Sequence, residues 1–192
     1  MTFSEDDLSL IFEATHFAAE KHQNQRRRNK EASPYINHPI AVAEILWRVG
    51  HVRDIPVLVA AILHDTIEDT DTSPDEIENR FGPEVLSLVQ QVTDDKTKPK
   101  QERKRLQIVN APHTSPGAKL IKLGDKISNI HDITTSPPAS WSLDRKLKYL
   151  DWSEQVIAGV RGTNAALEAC YDQLLQDSRA KLLAEDNGEG HE

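Results

Sequence analysis

Hydrophobic residues recur at helical spacing along most of the chain, while the two-residue alternation of a half-buried β-strand is nearly absent. The first helical set follows a predicted N-cap at Ser4 and consists of Leu8, Ile11, Phe12, Thr15, Ala18 and Ala19. Capping residues and prolines predict further helix starts near positions 39, 54, 73, 83, 99, 115, 142 and 163. The pattern therefore predicts an all-α fold, a helical bundle of about eight to ten helices.

One predicted helix is apolar on nearly every side, from Val57 to Leu63. Such a helix belongs in the middle of a bundle. No internal repeat and no linker divides the sequence, so a single domain is expected over residues 1–184. Residues 185–192 are acidic and contain glycine, and they are predicted to form a disordered tail.

Composition narrows the class of protein. The 192 residues carry a formal net charge of −8, which argues against a nucleic-acid-coating protein. No apolar run approaches the roughly 18 residues that a membrane span needs. The N-terminal residues are acidic, unlike a secretory or transit peptide, and Cys170 is the single cysteine. We therefore expect a cytoplasmic protein that does not interact with membranes. The sequence does not indicate its oligomeric state.

The stretch "AAILHDTIEDT" combines an apolar run with His64, Asp65, Glu68 and Asp69. On one continuous helix these four side chains would fall within an arc of roughly 140°. Burial of unpaired ions is prohibitive in free energy. The cluster is therefore either a solvent-facing surface or the binding site of something positive.

Two other segments supply partners for a positive ion. His38 stands beside Pro39 in "PYINHP", where capping or packing is the alternative to metal binding. Asp125 lies in "KLIKLGDKISNI" within about 100° of Lys122, Lys126 and Asn129, so a salt bridge to either lysine is its alternative role. Two imidazoles and two carboxylates together suit one borderline divalent metal such as Mn²⁺, Fe²⁺ or Zn²⁺.

Basic residues are clustered in spite of the negative net charge. One cluster is Arg26–Arg28, and the other lies between Lys96 and Arg105. Each is either a solvated helix face or a binding surface for a small, multiply charged anion. The second interpretation gains weight if a metal site lies near them.

The motifs "RRRNKEASPYINHP", "ILHDTIEDTD", "VTDDKTKPKQERKR", "APHTSPGAKLIKLGDKISN" and "GTN" occur in this order over about residues 8–175. This series resembles the HD-domain metal-dependent phosphohydrolases, and specifically the RelA/SpoT-type alarmone hydrolases. The single-domain metazoan SpoT homologue and the bacterial small alarmone hydrolases are the members it resembles in particular. Collectively these motifs are far more specific than an HD dipeptide.

The resemblance implies a function and a site. The implied reaction is metal-dependent hydrolysis of the 3′-pyrophosphate of guanosine 3′,5′-bis(diphosphate), or of its pentaphosphate form, by activated water. One divalent ion, usually Mn²⁺ with Zn²⁺ and Fe²⁺ as alternatives, would be bound by His38, His64, Asp65 and Asp125. The catalytic acidic pair would be Glu68 and Asp69. The substrate-binding residues would be Arg27, Arg28, Lys100, Asn129, Arg145 and Tyr149.

Two positions depart from the family pattern. Gly124 replaces the usual alanine, which weakens a helix by up to about 1 kcal/mol and allows close packing. Ser128 stands where the animal enzyme has a larger aromatic residue, near Asn129, so the preference for guanine or adenine stays open.

Adenosine alarmones and the 2′-phosphate of NADPH are therefore alternative substrates. A nucleotide-sensing binding protein is the non-enzymatic alternative, against which the intact Glu68 and Asp69 count. The chain has no room for a synthetase domain, so hydrolysis without synthesis is predicted.

Overall fold

Helix follows helix throughout residues 4–189, the part of the chain that the computed structural model describes. Nine α-helices occur in this part: α1 (Glu5–Lys21), α2 (Asn37–Arg48), α3 (Ile55–Leu63), α4 (Thr66–Asp69), α5 (Pro74–Val92), α6 (Lys100–Asn110), α7 (Pro116–Thr135), α8 (Leu143–Ala158) and α9 (Ala165–Glu189). The prediction of an all-α, single-domain bundle is confirmed. No helix within residues 4–189 is both long and apolar enough to cross a membrane.

The helices begin where the sequence supplies caps. The Ser4 hydroxyl accepts a hydrogen bond from the Asp7 amide, and the Asp7 carboxylate accepts one from the Ser4 amide, which completes a capping box. Four other helices have a simple N-cap, in which a side-chain oxygen accepts a hydrogen bond from a first-turn amide. The capping residues of α3, α5, α7 and α8 are Asp54, Ser73, Ser115 and Ser142. These are the starts that the sequence predicts.

Helix α3 forms the centre of the bundle. Every side chain from Val57 to Leu63 is buried, because α3 packs against α1, α2, α5 and α7 on its different sides. Helix α7 is the second core element and also packs against α2, α8 and α9. Helix α3 is therefore apolar on all sides because it lies in the middle of the bundle, as predicted.

Two terminal features differ from expectation. Leu8 and Phe12 are 47% and 71% exposed, because α1 contacts the core through Ala14, Phe17 and Ala18 instead. At the other end, α9 continues to Glu189, beyond the predicted domain end at residue 184. Helix-favouring residues such as Ala184 and Glu185 extend the helix there. Residues 190–192 of the predicted tail lie outside the described residues.

Gly124 lets α2 and α7 approach closely. A Cβ atom at this position would lie 3.1 Å from Cδ2 of Leu46 and 3.2 Å from Cγ1 of Val42, both on α2. These contacts are tighter than ordinary van der Waals distances. The close approach matters for the site because α2 carries His38 and α7 carries Asp125.

We expect Gly124→Val to separate α2 from α7 and to lower the free energy of unfolding by about 1–3 kcal/mol through overpacking. Because His38 and Asp125 would move apart, bound divalent metal should fall as well. Chemical denaturation and metal analysis of the purified variant measure the two effects. Gly124→Ala is the graded control and should show smaller changes, and a valine variant with unchanged stability would contradict the packing argument.

Candidate active site

His38 enters the core at the start of α2. It lies in the first turn, its amide donates to the Tyr35 carbonyl at 2.9 Å, and its side chain is almost fully buried. The following Pro39 suits the first helical turn, since no intrahelical partner is needed for its nitrogen there. The motif "PYINHP" therefore fixes where this imidazole points before any metal is considered.

His64 and Asp65 lie in a turn between two helices. Helix α3 ends at Leu63 and α4 begins at Thr66, whose hydroxyl donates to the Leu63 carbonyl at 2.7 Å. The prediction of one continuous helix with four side chains on a 140° arc is therefore wrong. Glu68 and Asp69 therefore belong to the separate short helix α4, which follows the turn at His64 and Asp65.

The four predicted metal ligands converge. Nε2 of His38 lies 3.2 Å from Oδ1 of Asp125 and 3.8 Å from Oδ2 of Asp65. Nε2 of His64 lies 3.2 Å from Oδ2 of Asp65 and 3.9 Å from Oδ1 of Asp125. Ligand atoms of His38, His64 and Asp65 all lie within 4.8 Å of one another. These residues line a cavity of about 210 Å³, named here the metal cavity.

Hydrogen bonds at Nδ1 orient both imidazoles. Nδ1 of His64 lies 2.8 Å from the Ala61 carbonyl, which only accepts, so this nitrogen carries the proton and Nε2 is free to bind a metal. Nδ1 of His38 pairs with the Ser128 hydroxyl at 3.0 Å. Ser128 is therefore a buried supporting partner of His38.

The charges of the cluster suit a bound cation. Burial disfavours a charged His64, but Asp65 and Asp125 outweigh burial and raise its pKa to about 9. At His38 the effect of burial exceeds that of Asp125, so the pKa of His38 is lowered. Burial also opposes the charged form of Asp65, yet His64 and His38 hold its pKa well below the usual range. The donor set thus fits a divalent ion, which would replace the imidazolium charge.

Each carboxylate ligand has its own support. Asp125 accepts from Lys126 Nζ at 2.8 Å and from Asn129 Nδ2 at 2.5 Å. The alternative role predicted for Asp125, a salt bridge, therefore coexists with its place among the ligands. Tyr35 donates its hydroxyl to Asp65 at 2.5 Å and lies 3.3 Å from Asp69. Tyr35 belongs to the motif "PYINHP", but the sequence alone did not predict its role as a hydrogen-bond donor to Asp65.

Glu68 and Asp69 line the metal cavity with the ligands but have different partners. Glu68 accepts from the Asp94 amide at 2.9 Å, and Asp69 pairs with Lys96. Burial raises the pKa of Glu68 to about 7, helped by the charges of Asp94, Asp65 and Asp69 and opposed by the Asp94 amide. The Glu68 carboxyl can therefore hold a proton near neutral pH.

A second cavity of about 470 Å³, named here the arginine groove, adjoins the metal cavity. Arg27, Tyr35, Asp69 and Asn129 line both cavities. The Arg27 guanidinium donates to Asn129 at 3.1 Å and to Asp132 at 2.7 Å. Arg28 and Tyr149 also line the arginine groove. Four of the six predicted substrate residues, Arg27, Arg28, Asn129 and Tyr149, are thus brought together beside the metal ligands.

The other two predicted substrate residues lie on the far side of Tyr149. Lys100 and Arg145 line a cavity of about 240 Å³ that shares Tyr149 and Trp141 with the arginine groove. The Arg145 guanidinium lies 4.4 Å from the centre of the Trp141 ring. Trp141 was missed by sequence reasoning, since a lone tryptophan in a Pro/Ser-rich loop carries no pattern. Aromatic and cationic groups together suit a nucleotide.

Comparison with known proteins gives concordant matches. Residues 14–150 match the family model described as "HD domain". The chain is similar to mouse and human proteins named guanosine-3′,5′-bis(diphosphate) 3′-pyrophosphohydrolase MESH1. It is 53% identical to the mouse protein over 89% of this chain and 96% of the relative, and 54% identical to the human protein over 88% and 95%.

A solved structure is also similar, with a TM-score of 0.87 and 44% identity. The match covers 92% of this chain and 98% of that structure's chain, which is described as a metazoan ortholog of SpoT that hydrolyses ppGpp.

We expect Asp125→Asn and His64→Ala each to lose most bound divalent metal, because each removes one of four converging ligand groups. Metal analysis of protein purified in the presence of Mn²⁺ measures the loss. Asp132→Asn is the matched control, since it alters an acid on the same helix that bonds Arg27 instead of the ligands. Full metal retention in both test variants would contradict the ligand set.

The raised pKa of Glu68 predicts a pH-dependent stability of metal-free protein. The folded state holds this proton up to about pH 7 and the unfolded state only up to about 4.5, so the contribution to stability is present at acid pH and is lost as pH rises through 7. Glu68→Gln should therefore gain about 1–3 kcal/mol in free energy of unfolding, relative to wild type, between pH 5 and pH 8.

Urea denaturation of both proteins at the two pH values measures this gain. Glu44→Gln, a change at an exposed glutamate of α2, is the control and should show no such gain. If Glu68→Gln and wild type differ in free energy of unfolding by the same amount at both pH values, the raised pKa does not belong to Glu68.

Proposed function

The chain belongs to the HD-domain family, among the RelA/SpoT-type alarmone hydrolases, and on this premise we propose that it hydrolyses guanosine 3′,5′-bis(diphosphate) to GDP and pyrophosphate. One observation carries the proposal. The His38, His64 and Asp65 cluster shares its cavity with Glu68 and Asp69, and this cavity adjoins the arginine groove. Metal ligands, a proton-exchanging acid and phosphate-binding cations are thus next to one another. A cytoplasmic location is part of the proposal, supported by the single Cys170.

His38, His64, Asp65 and Asp125 would hold one divalent ion, for which we propose Mn²⁺. When bound, such an ion acidifies a water molecule and polarises a phosphoryl oxygen. Hydrogen bonds from neighbouring residues hold the ligand side chains in place. Ala61 and Ser128 orient the two imidazoles, and Tyr35 donates to Asp65. Such supporting bonds commonly contribute 10- to 100-fold to metal affinity.

Glu68 is the proton-exchanging group in this proposal. Its pKa of about 7 keeps both protonation states populated at neutral pH, which suits a residue that takes a proton from water and returns one to the nucleotide. Asp69 is fixed by Tyr35 and Lys96 and orients the attacking water from the rim of the cavity. The acidic pair therefore divides into a proton carrier and a positioning carboxylate.

The cations around the metal cavity neutralise the substrate. A nucleotide with four phosphate groups would be repelled by the carboxylates of the cavity unless positive groups surround them. Arg27 and Arg28 provide fork-shaped donors for phosphate on one side of Tyr149. Lys100 and Arg145 provide charge on its other side, beside Trp141. This arrangement can hold a nucleotide at both its 3′ and its 5′ phosphates.

We expect purified, Mn²⁺-loaded protein to release pyrophosphate from guanosine 3′,5′-bis(diphosphate). The adenosine analogue and NADPH, supplied separately, test the base preference and the 2′-phosphatase alternative. Glu68→Gln combined with Asp69→Asn should retain metal but lose turnover at least about 100-fold, because proton transfer and water orientation are both removed. Pyrophosphate and phosphate assays together with metal analysis measure these outcomes.

The wild-type and variant results have distinct meanings. Release of phosphate from NADPH alone would contradict the proposed substrate. Unchanged turnover in the double variant would remove Glu68 and Asp69 from the mechanism. Binding of nucleotides without any turnover would favour a sensing protein.

A further inference from the structure

Two cationic side chains beside the metal cavity have donor atoms without a hydrogen-bond partner within residues 4–189. Lys122, on α7, is only 8% exposed and makes neither a hydrogen bond nor an ion pair there. Nε of Arg103, on α6, is buried without a hydrogen-bond partner, while its Nη1 lies 3.5 Å from Glu68. Burying unpaired charge costs several kcal/mol. The unpaired charge of Lys122 and the unpaired Nε donor of Arg103 lie at one place, which indicates that an anion completes the site.

The two donors line a cavity that continues the metal cavity on its inner side. This cavity, of about 350 Å³ and named here the inner cavity, shares Val92, Gln107 and Lys122 with the metal cavity. None of these three residues lines the arginine groove. The metal cavity therefore adjoins two other cavities, the arginine groove at Arg27 and the inner cavity at Lys122.

The carboxylates of the inner cavity already have other donors. Asp94 accepts from Gln107 at 2.8 Å, and Asp95 accepts from Lys98 at 2.6 Å. Burial and the neighbouring Lys126 lower the pKa of Lys122 to about 8, so its amine is still mostly protonated at neutral pH. The free positive charge of Lys122 and the free donor of Arg103 are thus available to a ligand.

We propose that Lys122 and Arg103 bind the distal phosphate of the 3′-pyrophosphate, an inference that rests on the proposed function. Hydrolysis joins the water oxygen to the phosphorus next to O3′, breaks the bond between that phosphorus and O3′, and returns a proton to O3′. The reacting phosphorus must lie by the metal ligands and Glu68, with the nucleoside in the arginine groove. The distal phosphate then extends into the inner cavity.

This subsite would distinguish a 3′-pyrophosphate from a 3′-monophosphate. In wild-type protein, guanosine 3′,5′-bis(diphosphate) should therefore bind more tightly than guanosine 5′-diphosphate 3′-monophosphate. Both compounds place the same nucleoside and the same first phosphate, so they differ only in the group that Lys122 and Arg103 are proposed to hold.

Lys122→Met is the test variant. It should lower kcat/KM for guanosine 3′,5′-bis(diphosphate) roughly 10- to 100-fold, the usual effect of losing one charged hydrogen bond. The inhibition constant of the 3′-monophosphate should change less than about twofold. Metal content should be retained, and Tm should stay equal or rise, because an unpaired buried charge is replaced by an apolar chain. Lys119→Met, three residues earlier on α7, is the matched control and should change none of these values.

Arg103→Gln provides a second, independent variant and should show the same selective loss. Equal losses for both compounds in Lys122→Met, or no loss for either, would overturn the subsite. Wild-type protein that releases no pyrophosphate would overturn the proposed function itself, and the subsite with it. A selective loss confined to the pyrophosphate compound supports both.

Discussion

The structure depends on one electrostatic constraint, the concentration of carboxylates at the end of a buried helix. Asp65, Glu68, Asp69 and Asp125 line one cavity of about 210 Å³ next to α3, whose apolar residues are all buried. Without a cation this arrangement is held by His64, whose pKa is raised to about 9. A divalent ion supplies more charge than one imidazolium, so the constraint that makes the cluster costly also suits it to hold a metal ion.

The fold could be predicted from local signals because they agree with one another. Serine and aspartate caps, first-turn prolines and an all-apolar α3 each have a local physical cause that survives in the structure. The predicted metal ligands rest on distinctive residue types and motifs, and the structure brings these side chains together. The interruption of the helix at His64 and Asp65 was not predicted, because no glycine or proline marks it in the sequence.

The supporting residues were harder to predict for a different reason. Tyr35 acts on Asp65 from 30 residues away, and Ser128 acts on His38 from 90 residues away. Such bonds depend on how α2, α4 and α7 are placed in three dimensions. No periodicity or spacing in the sequence records that placement. Lys122 illustrates the same limit, because the sequence allows a salt bridge of Asp125 to either Lys122 or Lys126 and the structure forms it with Lys126.

Lys122 and Lys126, one turn apart on α7, have different roles beside the metal cavity. Lys126 is committed to Asp125, so it supports the metal ligands and has little charge left for a substrate. Lys122, one turn earlier on the same helix, has no such commitment and lies where the metal cavity meets the inner cavity. Arg27 lines the metal cavity where it adjoins the arginine groove and is held by Asn129 and Asp132. Cations in both adjoining cavities beside a carboxylate-rich centre favour a polyanion, and a nucleoside that carries a 3′-pyrophosphate is such a ligand.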